Sequence, residues 1–251
     1  MLIPRVIPCP DTRDGRVVKG IRFGALRDAG SPVDLAAAYE DQGADELVLL
    51  DVSATSEGRG HRLETVQEIR ARLSIPLTVG GGIRSIDDAR RCLEAGADKV
   101  AVNTAAVRRP DLLGELAARF GRQCTVLALD AARSAPGGWE VVVHSGAERT
   151  SLDSLAWARE AVELGAGELL LTSWDRDGTR SGYDLALVSA VSQTVSVPVI
   201  ASGGADSPIH LLEAIRAGAD AVLAASIFHD GDNTVAEVKN YLSANGVEVR
   251  R

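Results

Sequence analysis

The chain has 251 residues, 45% hydrophobic, 25% charged and only 4% aromatic, with a net charge of −8. That length can bury most of its apolar surface, as one large domain or two small ones. The acidic balance argues against general binding to nucleic acid or to anionic membranes, so a bound anion has to be held locally by backbone amides and a few placed cations.

Cys9, Cys92 and Cys124 are odd in number and lack metal or redox spacing, and His61, His144, His210 and His229 form no ligand cluster. No metal and no cofactor are implied. The cysteines read as small apolar residues of a reducing compartment, and MLIPRVIPCPD lacks the layout of a signal peptide, so a cytoplasmic chain is expected. The uncharged run Leu185 to Ala205 is interrupted by Ser192, Gln193, Thr194, Pro198 and glycines. It reads as a helix followed by a strand rather than a membrane span.

In chain order, strands are expected at Val6–Cys9, Leu47–Asp51, Leu77–Gly80, Lys99–Asn103, Val126–Asp130, Leu169–Ser173, Val199–Ser202 and Ala221–Ala225. Each is continuously apolar, as parallel strands covered on both faces should be. Helices are expected at about 32–42, 62–73, 85–95, 109–120, 153–164, 184–194, 207–217 and 233–244. Ser31-Pro32, Ser85, Asp153, Asp184 and Ser207-Pro208 supply start signals for five of them. Eight such βα units give an α/β fold, a (β/α)8 barrel. Two segments stand outside the repeat. The long loop between Asp11 and Pro32 reads as a lid, and Gly138–Ser145 as a hairpin strand inserted after strand five.

The halves repeat. Gly43 and Gly165, Gly81 and Gly203, and Gly96 and Gly218 all stand 122 residues apart (165 − 43, 203 − 81 and 218 − 96) in similar surroundings. A single barrel of two fused half-barrels, about 1–122 and 123–251, is expected, with a near two-fold symmetric site. Barrel active sites form at the C-terminal ends of the strands. Asp11 and Asp130 end strands one and five, on opposite sides, and two carboxylates facing across a pocket can divide into general acid and general base. Gly81-Gly82 with Asn103-Thr104, and Gly203-Gly204 with Ala225-Ser226, offer exposed amides and the start of a short helix, so two phosphate cradles are expected. In LLLTSWDRDGTRSGYD, Asp177-Gly178 can turn an amide towards the second cradle and Thr172 points into the pocket, while Asp175, Arg176 and Arg180 shape the loop.

The segments IPCPDTRDGRVVKG, LTVGGGI, ADKVAVNTAAV, LALDA, LLTSWDRDGTRSGYD, IASGGA and AASIFH resemble the cyclase subunit of imidazole glycerol phosphate synthase, over essentially the whole chain. The resemblance implies ring closure, with ammonia, of a ribulosyl formimino aminoimidazole carboxamide nucleotide that carries two phosphates. The products would be imidazole glycerol phosphate and aminoimidazole carboxamide ribonucleotide. Asp11 and Asp130 would be the acid–base pair, with Lys19 folding over the substrate. Gly82, Asn103 and Thr104 would hold one phosphate; Asp177, Gly178, Gly204, Ala225 and Ser226 the other; Thr172 and Ser202 would line the centre.

A glutaminase partner would dock on the N-terminal face as the other half of a heterodimer, touching Asp98 and Gln123. Ammonia would enter through a charged gate of Arg5, Glu46, Lys99 and Glu168. Pro10, before Asp11, departs from the aliphatic residue usual in the family and bears on how Asp11 is positioned. The sister aldose–ketose isomerase, a related ammonia-using barrel with another substrate, and an inert glutaminase partner are the alternatives.

Overall fold

The computed structural model describes residues 3–21, 24–135 and 137–250, and within 19–29 the backbone alone. Its strands are β1 (Arg5–Pro8), β2 (Asp11–Arg13), β3 (Arg16–Ile21), β4 (Gly24–Gly30), β5 (Leu47–Asp51), β6 (Leu77–Gly80), β7 (Lys99–Val102), β8 (Thr125–Ser134), β9 (Gly138–Val143), β10 (Glu148–Asp153), β11 (Glu168–Ser173), β12 (Val199–Ser202) and β13 (Ala221–Ala224). Its helices are α1 (Pro32–Asp41), α2 (Leu63–Arg70), α3 (Ile86–Glu94), α4 (Thr104–Arg108), α5 (Asp111–Phe120), α6 (Ser154–Leu164), α7 (Leu185–Thr194), α8 (Pro208–Arg216), α9 (Ser226–His229) and α10 (Val235–Ala244). Among the described residues no helix is long and apolar enough to cross a membrane.

The expected (β/α)8 barrel forms. Parallel pairing runs through β1, β13, β12, β11, β8, β7, β6, β5 and β2, and closes because β1 and β2 are successive pieces of one strand. The break falls at Cys9-Pro10, and proline has no amide to give the ladder. Both faces of the strands are covered. Ile7, Val48, Ala101, Val126, Leu170 and Ile200 pack inside the barrel. Leu47, Leu49, Leu169 and Leu171 pack outward with helix residues such as Val66, Leu116 and Trp157. Double burial is why the strands read as unbroken apolar runs.

Four expected start signals act as side-chain caps: Ser31 accepts from the Asp34 amide, Ser85 from Asp88, Asp153 from Ala156 and Asp184 from Leu187. Ser207 does not cap. Its hydroxyl turns to His210 Nδ1 at 3.5 Å, while Pro208 opens α8 without an amide to satisfy.

The runs Gly43-Ala44-Asp45, Gly96-Ala97-Asp98 and Gly218-Ala219-Asp220, with Gly165-Ala166-Gly167 as a fourth copy, follow helix ends and also anchor neighbouring strands. Asp45, Asp98 and Asp220 accept the amides of Val6, Leu77 and Val199, each tying the turn to the start of an adjacent strand. The fourth copy has Gly167 in place of aspartate, because a Cβ there would collide with the carbonyl of Arg122.

The segment expected as a long loop forms the antiparallel hairpin β3–β4, leaving β2 through a short turn at Asp14-Gly15. The inserted strand after barrel strand five is likewise a full hairpin, β9–β10, pairing with an extended β8. Its base is fixed to the loop after β11: Trp174 N–H donates to Ala131 O at 2.9 Å and Arg133 N–H to Asp175 at 2.7 Å. The Arg149 guanidinium lies 5.5 Å from the Trp174 ring centre.

Candidate active site

Side chains on a strand alternate, so every second residue faces inward. Stepping by two along β11 gives Glu168, Leu170 and Thr172; along β7, Lys99 and Ala101, then Asn103 just past its end; along β1, Arg5, Ile7 and Cys9. One inward column therefore carries a charged residue at the bottom, apolar residues in the middle and a polar site residue at the top.

The top is a cavity of about 560 Å³ floored by Leu50, Ala101, Ala128, Leu170 and Leu223. Asp11, Asp130, Gly82, Asn103, Thr104, Thr172, Asp177, Gly178, Ser202, Gly204, Ala225 and Ser226 all line it. Lys19 sits on β3, but its side chain lies outside the described residues.

Asp130 is buried, and Asn103 donates to it through Nδ2 at 2.9 Å. Burial first, then the charge of Asp177, push its carboxyl up from 3.8 to about 7, against the pull of hydrogen bonds from Asn103 and Thr172. A carboxyl so placed exchanges its proton near neutral pH. Asp11 lies across the cavity, its Oδ1 3.7 Å from Cys9 Sγ. Asn103 Oδ1 is buried without a protein partner.

Two corners of the cavity match. Gly81 and Gly203 both have φ of +93°, and Gly82 and Gly204 follow at +73° and +98°. A Cβ on Gly81 would collide with the Asp51 carbonyl, and one on Gly203 would lie 2.9 Å from that of Ser173, so each preceding loop folds directly over its glycine. Asn103 (φ −120°, ψ −89°) and Ala225 (φ −118°, ψ −70°) then turn the chain alike into α4 and α9. The first amides of those helices have no acceptor within the helix.

The two corners differ in charge. Arg84, Arg108, Arg109 and His144 line the cavity beside the first, and His144 N–H donates to Thr104 Oγ1 at 3.0 Å. Beside the second, Arg180 pairs with Asp206 and Asp232, with Asp230 at 3.7 Å. The Asp177 amide donates to Ser173 O at 2.9 Å within its own loop. Asp177 and Gly178 both line the cavity beside this corner.

At the opposite mouth Arg5, Glu46, Lys99 and Glu168 close a ring. Arg5 donates to Glu46 at 2.7 Å and to Glu168; Lys99 donates to Glu46 at 3.0 Å and to Glu168 at 2.7 Å. Each carboxylate meets both cations, which offsets the cost of burying Glu46 and Glu168. Thr78 adds a hydroxyl to Glu46 at 2.6 Å. A second cavity of about 350 Å³ opens below this ring and includes Gln123 in its wall. Asp98 is exposed at the same mouth, 3.5 Å from Arg70.

Sequence reasoning passed over Asp51, which also stands at a strand end. It accepts from Ser53, Ala54 and both terminal nitrogens of Arg59, and so folds the loop that covers Gly82. It missed His229 as well, whose ring binds the Cys9 carbonyl and Tyr39 from a one-turn helix that no periodicity reveals.

This is a (β/α)8 barrel with one polar cavity at the C-terminal ends of its strands, an acid–base candidate at its centre and two matched glycine corners. Residues 5–234 match the family described as histidine biosynthesis protein. The chain belongs to that family and is a barrel enzyme of histidine biosynthesis.

Proposed function

We propose that the protein is the ammonia-using cyclase of this family, the synthase subunit that makes imidazole glycerol phosphate. The observation that carries the reading is the charged ring at the N-terminal mouth. It sits on the same inward columns as the site, separated from it by an apolar layer. An isomerase acts on one substrate and has no use for a second entrance. A reaction that consumes a small molecule made elsewhere does.

In this reading the bisphosphorylated nucleotide spans the cavity with one phosphate at each glycine corner. Gly82, Asn103 and Thr104 hold one, and Asp177, Gly178, Gly204, Ala225 and Ser226 the other, with Thr172 and Ser202 between and Lys19 over the top. Ammonia adds to the ribulosyl carbonyl and water leaves, giving an imine. That nitrogen closes on the formimino carbon, and the C–N bond to the carboxamide ribonucleotide breaks. The departing amine needs a proton, and carbon must lose one before the ring becomes aromatic. Asp130, half protonated near pH 7, supplies the first, and Asp11, across the cavity, takes the second. A glutaminase docked over Asp98 and Gln123 in a cytoplasmic heterodimer would feed ammonia through the ring once it opens.

The carboxylate pair also suits proton transfer between neighbouring carbons, which favours the sister isomerase as a second reading. The test is to offer the purified protein the ribulosyl formimino nucleotide with ammonium, and its aldose precursor without it. Conversion of the first, abolished by Asp11→Asn and by Asp130→Asn, supports the cyclase. Conversion of only the second hands the chain to the isomerase.

A further inference from the structure

We infer that His229 is a positioning residue for Asp11, acting as a latch across the break in the first barrel strand; this rests on the proposed role of Asp11 as the base. In the ladder between β1 and β13, Pro8 is opposite Ala224, and the Cys9 amide donates to Ala224 O at 3.1 Å. Continued in register, the Cys9 carbonyl would accept from the Ser226 amide. The chain has turned into α9 by then, and the following Pro10 has no amide of its own. His229, at the end of α9, fills the vacancy: its Nε2 lies 3.1 Å from Cys9 O.

The tautomer follows from the partners. A carbonyl only accepts, so Nε2 carries the proton, while Nδ1 faces the Tyr39 hydroxyl. Tyr39 is buried on α1, with its ring centre 5.8 Å from that of the imidazole. The imidazole is therefore held at both nitrogens.

Two things result. The carbonyl two residues before Asp11 is fixed from outside the ladder, and the Ser226 amide is released for an anion in the second corner. The same side chain thus couples the carboxylate's backbone to the phosphate helix. A misplacement of about 1 Å at a reacting group is enough to lower turnover up to a hundredfold.

The test has two parts. Nitrogen-15 NMR of the wild-type imidazoles reads the tautomer without any substrate. A proton on Nε2 of His229, with Nδ1 perturbed in Tyr39→Phe, is expected; a ring that carries its proton on Nδ1 and none on Nε2 overturns the latch. Steady-state kinetics with ammonium then compare His229→Ala, His229→Gln and Tyr39→Phe. His229→Ala should lower kcat by about tenfold or more, with the nucleotide KM changed by less than about threefold. His229→Gln, whose side-chain amide can still donate to Cys9 O, should recover most of it, and Tyr39→Phe should lose less than His229→Ala. A raised KM with kcat intact, or a glutamine variant no better than alanine, would make His229 a support of the phosphate corner alone and sink the proposal. If wild-type protein leaves the nucleotide unconverted, the cyclase reading falls, and the imidazole spectrum still decides whether the latch exists.

Discussion

Asp130→Asn should make the protein more stable while removing its activity. The buried carboxyl is held at about 7 instead of 3.8, so ionising it in the folded protein costs about 4 kcal/mol more than in the unfolded chain. The sign is that of a raised group. Below pH 4 the carboxyl is protonated in both states and nothing is lost; as pH rises from 4 to 7 the unfolded chain ionises first, and stability falls throughout that window. Asparagine never ionises, so the variant escapes the penalty. Its side chain keeps an acceptor for Asn103 Nδ2, while its own amide hydrogens need new partners, at about 1 kcal/mol. The net gain is about 3 kcal/mol at pH 8, or a melting midpoint roughly 6 to 12 °C higher. At pH 4 the order should reverse slightly. Thermal unfolding of both proteins from pH 4 to 8 checks this. A difference that does not change with pH, or a wild type that is the more stable at pH 8, would refute the reasoning.

Lys99→Met leaves Glu46 and Glu168 sharing Arg5 alone; it should cost about 3 kcal/mol in urea unfolding, yet leave turnover with added ammonium near the wild-type rate. Gly81→Ala should destabilise more than Gly203→Ala at the same φ, because its Cβ meets the Asp51 carbonyl more closely than the other meets Ser173; comparing the two melting curves decides. Ammonium-supported kcat/KM for the nucleotide, corrected for the free ammonia present, should fall on the alkaline side of about pH 7 as Asp130 loses its proton. A profile flat from pH 6 to 9 would remove Asp130 as the acid.

Much of the scaffold was legible in the sequence because parallel strands buried on both faces leave unbroken apolar runs. Leu47–Asp51, Leu77–Gly80 and Val199–Ser202 were read with the bounds they have. The errors have local causes. The hairpin β3–β4 was read as a loop because Gly20, Gly24 and Gly30 interrupt it, and its strands pair chiefly with each other rather than with an apolar sheet. β10 alternates exposed and half-buried residues, so it lacks the apolar signal of a barrel strand. Helices α4 and α9, of 5 and 4 residues, are too short for a 3.6-residue period to show. The cavity-lining residues could be named because strand ends converge in any such barrel. Contacts that cross the ladder, such as His229 with Cys9 at a separation of 220 residues, leave no trace in spacing.

The most direct test of the central claim follows the nitrogen itself. The purified protein would be given the ribulosyl formimino nucleotide and nitrogen-15 ammonium, and the products analysed by mass and NMR. The account predicts imidazole glycerol phosphate with one labelled ring nitrogen, together with unlabelled aminoimidazole carboxamide ribonucleotide. Recovery of the nucleotide unchanged, or of products without label in the ring, would contradict it.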